Sequence, residues 1–389
     1  MATLEPAAQT HVPSNITAPL DWIDRWFALR DRLLSSPRFR RWAGAFPLTR
    51  PIARRRTRAL FDLCAGFVYS QILFACVQVG FFDILAEGPQ TEPTLARRLS
   101  LSSEATARLV AAAVSLGLAD RRPRGRVGLG PLGAAMVGNA AVLAMVRHHA
   151  LLYCDLENPL ALLRGEPAET GLSRYWAYAR SANPAALPVD HISDYTALMA
   201  ESQSIIAEEI LNAYRFDRHR CLLDVGGGNG EFLSAVAARA PDLRLVLFDL
   251  PAIALGAKAR LATRTFSDRF HAEGGDFLTG PLPQGADLIS LVRVLHDHDD
   301  EPALALLRNI RRVLPSNGTL LVAEPMSDTR GALPAGDAYF GFYLLAMRSG
   351  RPRTPGQISA LLAAAGFSES RLVATDNPLL VRVIVAQPQ

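Results

Sequence analysis

A hydrophobic run that opens into glycines, Leu222-Leu-Asp-Val-Gly226-Gly227-Gly228-Asn229-Gly230-Glu231-Phe232, restricts the fold more than any other stretch of the chain. The run reads as a strand. Glycines after it take dihedrals that other residues avoid and let the backbone approach a ligand closely. A helical pattern begins at Glu231, so the segment is strand, turn, helix, the unit of parallel sheets. Downstream the alternation continues. β-rich runs at residues 221–225, 244–248, 286–294 and 319–323 are separated by helical stretches, and a closing pair at 371–375 and 379–386 predicts an antiparallel edge. The predicted class is α/β: a Rossmann-like, mostly parallel sheet with helices on both faces.

The same turn discriminates between ligands. A dinucleotide fingerprint wants glycine where Glu231 stands, and no Gly-Lys-Ser/Thr follows to make a phosphate loop. An acid at the helix entrance repels a pyrophosphate and suits a ligand carrying an amine and a sulfonium. Charge matching therefore favours S-adenosylmethionine, with Asp224, Gly226, Gly228 and Glu231 as candidate contacts. The second strand ends in Phe248-Asp249-Leu250-Pro251, where Asp249, beside Leu250, can accept both ribose hydroxyls. Gly274-Gly275-Asp276-Phe277 offers Asp276 to an adenine amine and Phe277 to the ring face. One glycine turn is unspecific; three elements in this order are not.

The fourth strand runs into Arg293-Val-Leu-His296-Asp297-His298-Asp299-Asp300-Glu301, and Arg293 joins the candidate cofactor contacts. Ligands of open α/β sheets bind beyond the carboxyl ends of the strands, so His296 is the candidate base. The fifth strand delivers Glu324 in Leu321-Val-Ala-Glu324-Pro325. A carboxylate beside an imidazole fixes its tautomer and stabilises the imidazolium formed on proton uptake. His298, Asp299 and Asp300 read as helix capping and solvated charge.

The N-terminal half has a different character. Residues 1–19 read as a flexible tail, and 20–58 as a basic helical extension broken by Pro37, Pro47 and Pro51. Eleven arginines lie from Arg25 to Arg58, with Asp31 the only acid after Asp24. Lys258 is the only lysine, so arginine abundance alone says little; its clustering is the signal. Residues 63–82 carry no charge and could span a bilayer by length. Ser70, Gln71 and Gln78 interrupt them and Asp62 and Asp83 close them, which favours a buried helix. Two short helices at Glu92 and Glu104 and a hairpin around residues 121–129 follow in winged-helix order. The predicted division is 59–188 for this α-helical, winged-helix-like domain and 189–389 for the catalytic domain, with a helix from Tyr195 to Tyr214 leading in. Four scattered cysteines give no metal or disulfide framework, and no signal peptide is visible, so a cytoplasmic protein without metal is expected.

Leu223 to Gly230, Phe248-Asp-Leu-Pro251, Gly275-Asp-Phe277, Leu295-His-Asp297, and Arg353-Thr354 ahead of Ala-Gly-Phe367 resemble the plant-type small-molecule O-methyltransferases, over roughly residues 60–387. Stretches at Ser36–Trp42, Phe46–Arg56, Phe61–Tyr69 and Ser349–Thr354 are similar to a bacterial subfamily acting on hydroxyneurosporene or demethylspheroidene, acyclic carotenoids with a 1-hydroxyl. The resemblance implies a class I methyltransferase domain with a seven-stranded sheet, a homodimer whose core includes the uncharged stretch, and S-adenosylmethionine held by Gly226, Asp249, Asp276 and Phe277. It implies His296 as base with Glu324 supporting it. For such a carotenoid substrate the helical positions Phe340, Tyr343, Leu344 and Met347, with Tyr195 and Met199, would wall an apolar slot; the alternative for them is plain core. A lipid-soluble substrate further implies peripheral contact of residues 25–58 with an anionic inner, photosynthetic membrane.

Two departures stand out. Pro352 occupies the position of the family's second glutamate, and His298 that of its usual tryptophan. A tertiary alcohol is far too weak an acid for a base of pKa about 6.5 to deprotonate in advance, which implies late proton transfer. The alternatives are a small phenol or polyketide substrate, and a winged-helix DNA-binding regulator supported only by the arginines of residues 121–126. No nucleic-acid partner is expected.

Overall fold

The computed structural model describes residues 21–166, 169–176 and 203–389. Its internal contacts divide the chain into two units, Met1–Ile72 and Leu73–Gln389. The first unit holds α1 (Trp22–Ser35), α2 (Pro37–Ala45) and most of α3 (Arg50–Gln78). Proline opens two of these helices. Pro37 follows the capping Ser36, and Pro51 sits in the first turn of α3, where a missing N–H breaks no hydrogen bond. The predicted break at Pro51 is therefore a start, and α3 runs for 29 residues straight through position 58.

Burial along α3 is uneven. Leu60, Phe61, Leu63, Phe67 and Val68 are exposed, whereas Cys76 and Val77, with Phe81 and Phe82 just beyond, are buried. The burial expected for residues 63–82 is thus met only at their C-terminal end. Among the described residues, α3 is the one helix long and apolar enough to cross a membrane.

The second unit begins with a small winged-helix arrangement of α4 (Phe81–Ala86), α5 (Glu92–Leu99), α6 (Ser103–Ser115) and the sheet β1-β3-β2. Thr91 and Ser102 cap α5 and α6 with their hydroxyls. The hairpin joins β2 (Ala119–Arg122) to β3 (Arg126–Leu129), with Arg124 and Gly125 both at positive φ in the turn. Arg121 is ion-paired with Glu92, and Arg122 donates to the Leu129 carbonyl, so part of the wing's charge serves the domain itself. Four helices follow: α7 (Pro131–Ala134), α8 (Ala140–Asp155), α9 (Pro159–Arg164) and α10 (Gly171–Tyr175).

The large sheet has seven strands in the order β6-β5-β4-β7-β8-β10-β9. They are β4 (Cys221–Val225), β5 (Arg244–Asp249), β6 (Phe270–Gly274), β7 (Leu288–Val292), β8 (Thr319–Glu324), β9 (Phe367–Val373) and β10 (Arg382–Pro388). The first five run parallel, and β10 lies antiparallel between β8 and β9. Alternate side chains serve opposite cores. Leu223, Val225, Ile289 and Leu291 pack with Leu306, Leu307 and Ile310 of α14 (Asp300–Val313) and Ile358 and Leu362 of α16 (Pro355–Ala364). On the other face Leu222, Leu245, Leu247 and Leu321 pack with Phe232, Leu233 and Val236 of α12 (Glu231–Arg239) and with Ala254 and Ala257 of α13 (Pro251–Leu261). Two-sided burial explains why the parallel strands read as apolar runs. β6 escaped the sequence reading because it is a half-exposed edge, Phe-His-Ala-Glu-Gly, with no such run. Residues 203–213 are helical and form α11, the described part of the helix expected before the sheet. The predicted domain boundary at 188/189, Tyr195 and Met199 lie outside the described residues.

Candidate active site

Every candidate contact described by the structure stands at or just past the carboxyl end of a sheet strand, except Phe340, Tyr343 and Met347. In the first loop Gly226 has φ +72°, and a Cβ there would lie 2.7 Å from Val294 Cγ2, so only glycine fits both the backbone and the space. The Gly228 N–H donates to Asp249 Oδ2 at 2.8 Å, and the Leu250 N–H to Asp249 Oδ1 at 2.7 Å. Asp249 thereby ties the ends of β4 and β5 together. Burial pushes its carboxyl up to about 6 against those two hydrogen bonds.

Asp224 has a different orientation from the one its sequence position suggests. It pairs in register with Ser290 across β4 and β7, accepts that hydroxyl's hydrogen bond at 2.6 Å, and is fully buried, which pushes it up to about 7. Its carboxylate braces the strand pair beneath the loop. Glu231 is ion-paired with Arg260 at 3.1 Å, so its charge is balanced within the protein before any ligand arrives. The charge-matching reading of Glu231 is correspondingly weakened. Asp276 caps its own turn, accepting from the Leu278 N–H at 2.8 Å and the Thr279 hydroxyl at 2.9 Å, and presents the half-buried Phe277. Phe277 meets His298 edge-on at 5.5 Å between ring centroids. His298 is no solvated cap: it is buried, and desolvation lowers its imidazole to about 4, keeping it neutral at physiological pH. Arg293 has φ +57°, donates its backbone N–H to the Ala323 carbonyl, and reaches Gln203 of α11 with its guanidinium.

His296 sits in a single turn, Leu295–Asp297, directly after β7 and is buried. Its Nε2 lies 3.2 Å from Asp297 Oδ1 and its Nδ1 3.4 Å from Glu324 Oε2. Glu324 also accepts the His296 backbone N–H at 3.0 Å. The histidine does have a second carboxylate: Asp297 supplies what Pro352 does not. Burial works against the imidazolium, yet Asp297 and Glu324 outweigh it and raise the His296 pKa above its ordinary value.

A strap from a distant part of the chain fixes this turn. Arg353, fully buried, donates from Nη1 to the Leu295 carbonyl at 2.9 Å and from Nη2 to the His298 carbonyl at 2.7 Å, one on each side of the histidine. Its Nε also meets Asp300 at 3.0 Å. The Arg351 N–H donates to the His296 carbonyl at 2.9 Å. Gly350 makes this approach possible, since at φ +75° a Cβ would come within 2.1 Å of that same oxygen. A planar fork with five donors can span two carbonyls and a carboxylate; lysine cannot.

The expected substrate slot is only partly assembled. A π-helical segment, Pro334–Phe340, leads into α15 (Gly341–Met347) and brings Phe340 edge-on to His296 at 6.2 Å. Tyr343 and Met347 instead belong to a buried cluster with Leu152, Leu162, Leu172 and Trp176. The Tyr343 hydroxyl is hydrogen-bonded to His148 Nε2 at 2.7 Å and accepts the Trp176 N–H at 3.0 Å. One residue on, His149 bonds the Tyr339 hydroxyl at 2.8 Å. Two adjacent histidines of α8 thus hold the helix that carries Phe340. The sequence reading missed both; a polar run, Arg147 to His149, in a mostly apolar helix was the available signal. Among the described residues, no group of three His, Cys, Asp or Glu is placed to hold a metal ion.

The glycine-lined turn after β4, the buried acid at the end of β5, and the bracketed histidine past β7 are those of an S-adenosylmethionine-dependent methyltransferase of class I fold. The chain belongs to the O-methyltransferase family: the O-methyltransferase domain matches residues 169–368, and that family's dimerisation domain matches residues 61–139. It is a homodimer. It is 43% identical to demethylspheroidene O-methyltransferase of Cereibacter sphaeroides over 91% of this chain and 93% of that one. Identity to the protein of the same name from Rhodobacter capsulatus is 40%, over 92% and 88%. Human N-acetylserotonin methyltransferase, solved with S-adenosylmethionine, superposes with a TM-score of 0.71 at 26% identity, over 86% of this chain and 97% of that one. The calicheamicin-biosynthesis methyltransferase CalO1, solved with the demethylated cofactor, gives 0.73 at 26%, over 86% and 98%.

Proposed function

We propose that the chain methylates the 1-hydroxyl of an acyclic hydroxy-carotenoid of the demethylspheroidene or hydroxyneurosporene type, with His296 as general base. The observation that carries the chemistry is a buried histidine bracketed by Asp297 and Glu324 beside the glycine cradle. The substrate class is supported by the two bacterial relatives, at 43% and 40% identity over nearly the whole chain.

S-adenosylmethionine supplies an electrophilic methyl group on a sulfonium. Gly226, Gly228, Asp249, Leu250, Asp276 and Phe277 are the residues that hold it. The cradle fits: at Gly226 the positive φ and Val294 leave no room for a side chain, a Cβ at Gly228 would meet nothing within 4 Å, and the Asp249 carboxylate stands at the end of β5 beside the turn. The His296 imidazole takes the substrate hydroxyl's proton, and Asp297 and Glu324 stabilise the imidazolium. A tertiary alcohol gives up its proton late, so alignment of oxygen with the methyl group supplies most of the acceleration. Phe340 beside the imidazole keeps that corner dry. Because the substrate dissolves in lipid, the protein works from the cytoplasm in peripheral contact with the inner, photosynthetic membrane.

Incubation with methyl-labelled cofactor and a 1-hydroxy-carotenoid in mixed micelles, in parallel with a panel of small phenols, tests the reading. Label in the carotenoid ether is the expected result. Label confined to phenols would move the substrate to the class suggested by mouse acetylserotonin O-methyltransferase, 32% identical over 83% of this chain.

A further inference from the structure

The first unit carries a surface that neither methyl transfer nor the family's dimerisation explains. Helices α1 and α2 lie outside both segments matched by the family domains, which begin at residue 61. No residue of α1 is buried. At 3.6 residues per turn, Trp22, Trp26, Leu29 and Leu33 fall on one stripe of that helix. Trp22 is 74% exposed and Trp26 62%. Arg25 and Arg32 border the stripe on one side and Arg30 on the other, while Asp24 and Asp31 face away from it. α2 adds Trp42, stacked on Phe46 with centroids 5.2 Å apart, and Arg38, Arg40 and Arg41. From residue 21 to 58, eleven arginines stand against three acids.

We propose that α1, supported by α2, is an interfacial lipid-binding helix: Trp22, Trp26, Leu29 and Leu33 enter the headgroup–acyl boundary of an anionic bilayer, and the flanking arginines bind its phosphates. A strongly cationic rim excludes a like-charged second copy and fits an anionic partner. Tryptophans at the centre of an apolar stripe favour a surface with an apolar interior over a nucleic acid, whose phosphates would leave the indoles in water. The exposed apolar residues of α3 from Phe61 to Val68 have another explanation: they fall at the start of the matched dimerisation domain. This inference rests on the peripheral membrane contact proposed above and makes it specific. Aromatic insertion supplies the hold, and charge alone is insufficient, because an exposed arginine's attraction to anionic lipid dies away within a Debye length.

Vesicle binding by the full-length protein, without any methyl acceptor, separates this inference from the substrate assignment. Three of the four tryptophans, Trp22, Trp26 and Trp42, are exposed in this unit and Trp176 is buried, so quenching by lipids brominated near the headgroup end of the acyl chain reports insertion directly. The wild type is expected to sediment with phosphatidylglycerol vesicles about tenfold or more better than with phosphatidylcholine, and to be quenched. Trp22→Ser with Trp26→Ser should lose at least about tenfold in binding while keeping its dimeric mass and its turnover of detergent-dispersed substrate. Arg25→Gln, Arg30→Gln and Arg32→Gln together should remove the preference for anionic lipid. Absent vesicle binding, binding without bromine quenching, unchanged binding by the tryptophan variant, or its conversion from dimer to monomer would each overturn the proposal.

Discussion

The cofactor turn and the histidine turn follow two neighbouring strands, β4 and β7, at the same carboxyl end of the sheet, yet they are built in opposite ways. Gly226 to Gly230 is one contiguous piece of chain, tied down by two elements that follow it: the end of β5, through Asp249 and the Phe248 carbonyl, and α13, whose Arg260 donates to the Asn229 carbonyl. The turn around His296 is held from four places: Asp297 beside it, Glu324 on β8, and Arg351 and Arg353 on a strap more than fifty residues away. A locally determined turn tolerates little change inside itself but depends little on distant segments. An assembled turn can be broken from far away.

That contrast gives predictions of graded size. His296→Ala should lower kcat by about 10²- to 10⁴-fold, the range of a positioned general base, with cofactor affinity unchanged by calorimetry. Retained turnover would remove the base assignment. Arg353→Met leaves the Leu295 and His298 carbonyls without their buried donor, while Asp300 keeps Arg351, and should cost about 1–3 kcal/mol of stability per carbonyl in denaturant unfolding. Asp300→Asn is the gentler probe of the same strap: a kcat reduced about tenfold (~1.4 kcal/mol in the barrier) in a folded protein with normal cofactor binding would show that the strap positions the base. Equal loss of kcat and cofactor affinity would mean that the two turns are not separable.

Gly226→Ala is the converse experiment. The positive φ and the close Val294 should weaken cofactor binding about tenfold or more, while kcat at saturation stays near the wild type. The pH dependence separates the turns once more. His296 must be neutral to accept a proton and its pKa is raised, so kcat should fall as pH drops through a value above the ordinary 6.5 of histidine. Asp297→Asn removes a negative neighbour and should move that acid limb to lower pH; an unmoved limb would count against His296 as the titrating group. The smallest effect belongs to Asp249. Its carboxyl, pushed up to about 6, accepts ribose hydroxyls best when ionised, so cofactor affinity should rise as pH increases from about 5 to 7.

The difference between the two turns is also the difference in what could be read. Strands β4, β5, β7 and β8 were legible because both faces are buried and the apolar run is unbroken, and edge strand β6 was not. Gly226 and Asp249 were legible because each stands at a strand end in a fixed order. The inward orientation of Asp224 depends on Ser290 in the neighbouring strand, and the neutralised charge of Glu231 on Arg260 in another helix, and neither partner is adjacent in sequence. Tyr343 and Met347 have the helical spacing of pocket walls, and only packing turns them into core, with His148 and Trp176 satisfying the tyrosine hydroxyl.

The sequence alone determined the alternation of strands and helices, the glycine turn, the order of the acids after it and the position of His296, all properties carried by neighbouring residues. Tertiary structure decided which carboxylates face that histidine, that an arginine fifty-seven positions later grips the carbonyls around it, and that α1 leaves its tryptophans bare. Those depend on contacts between segments far apart in the chain, or on their absence, and no local pattern encodes them.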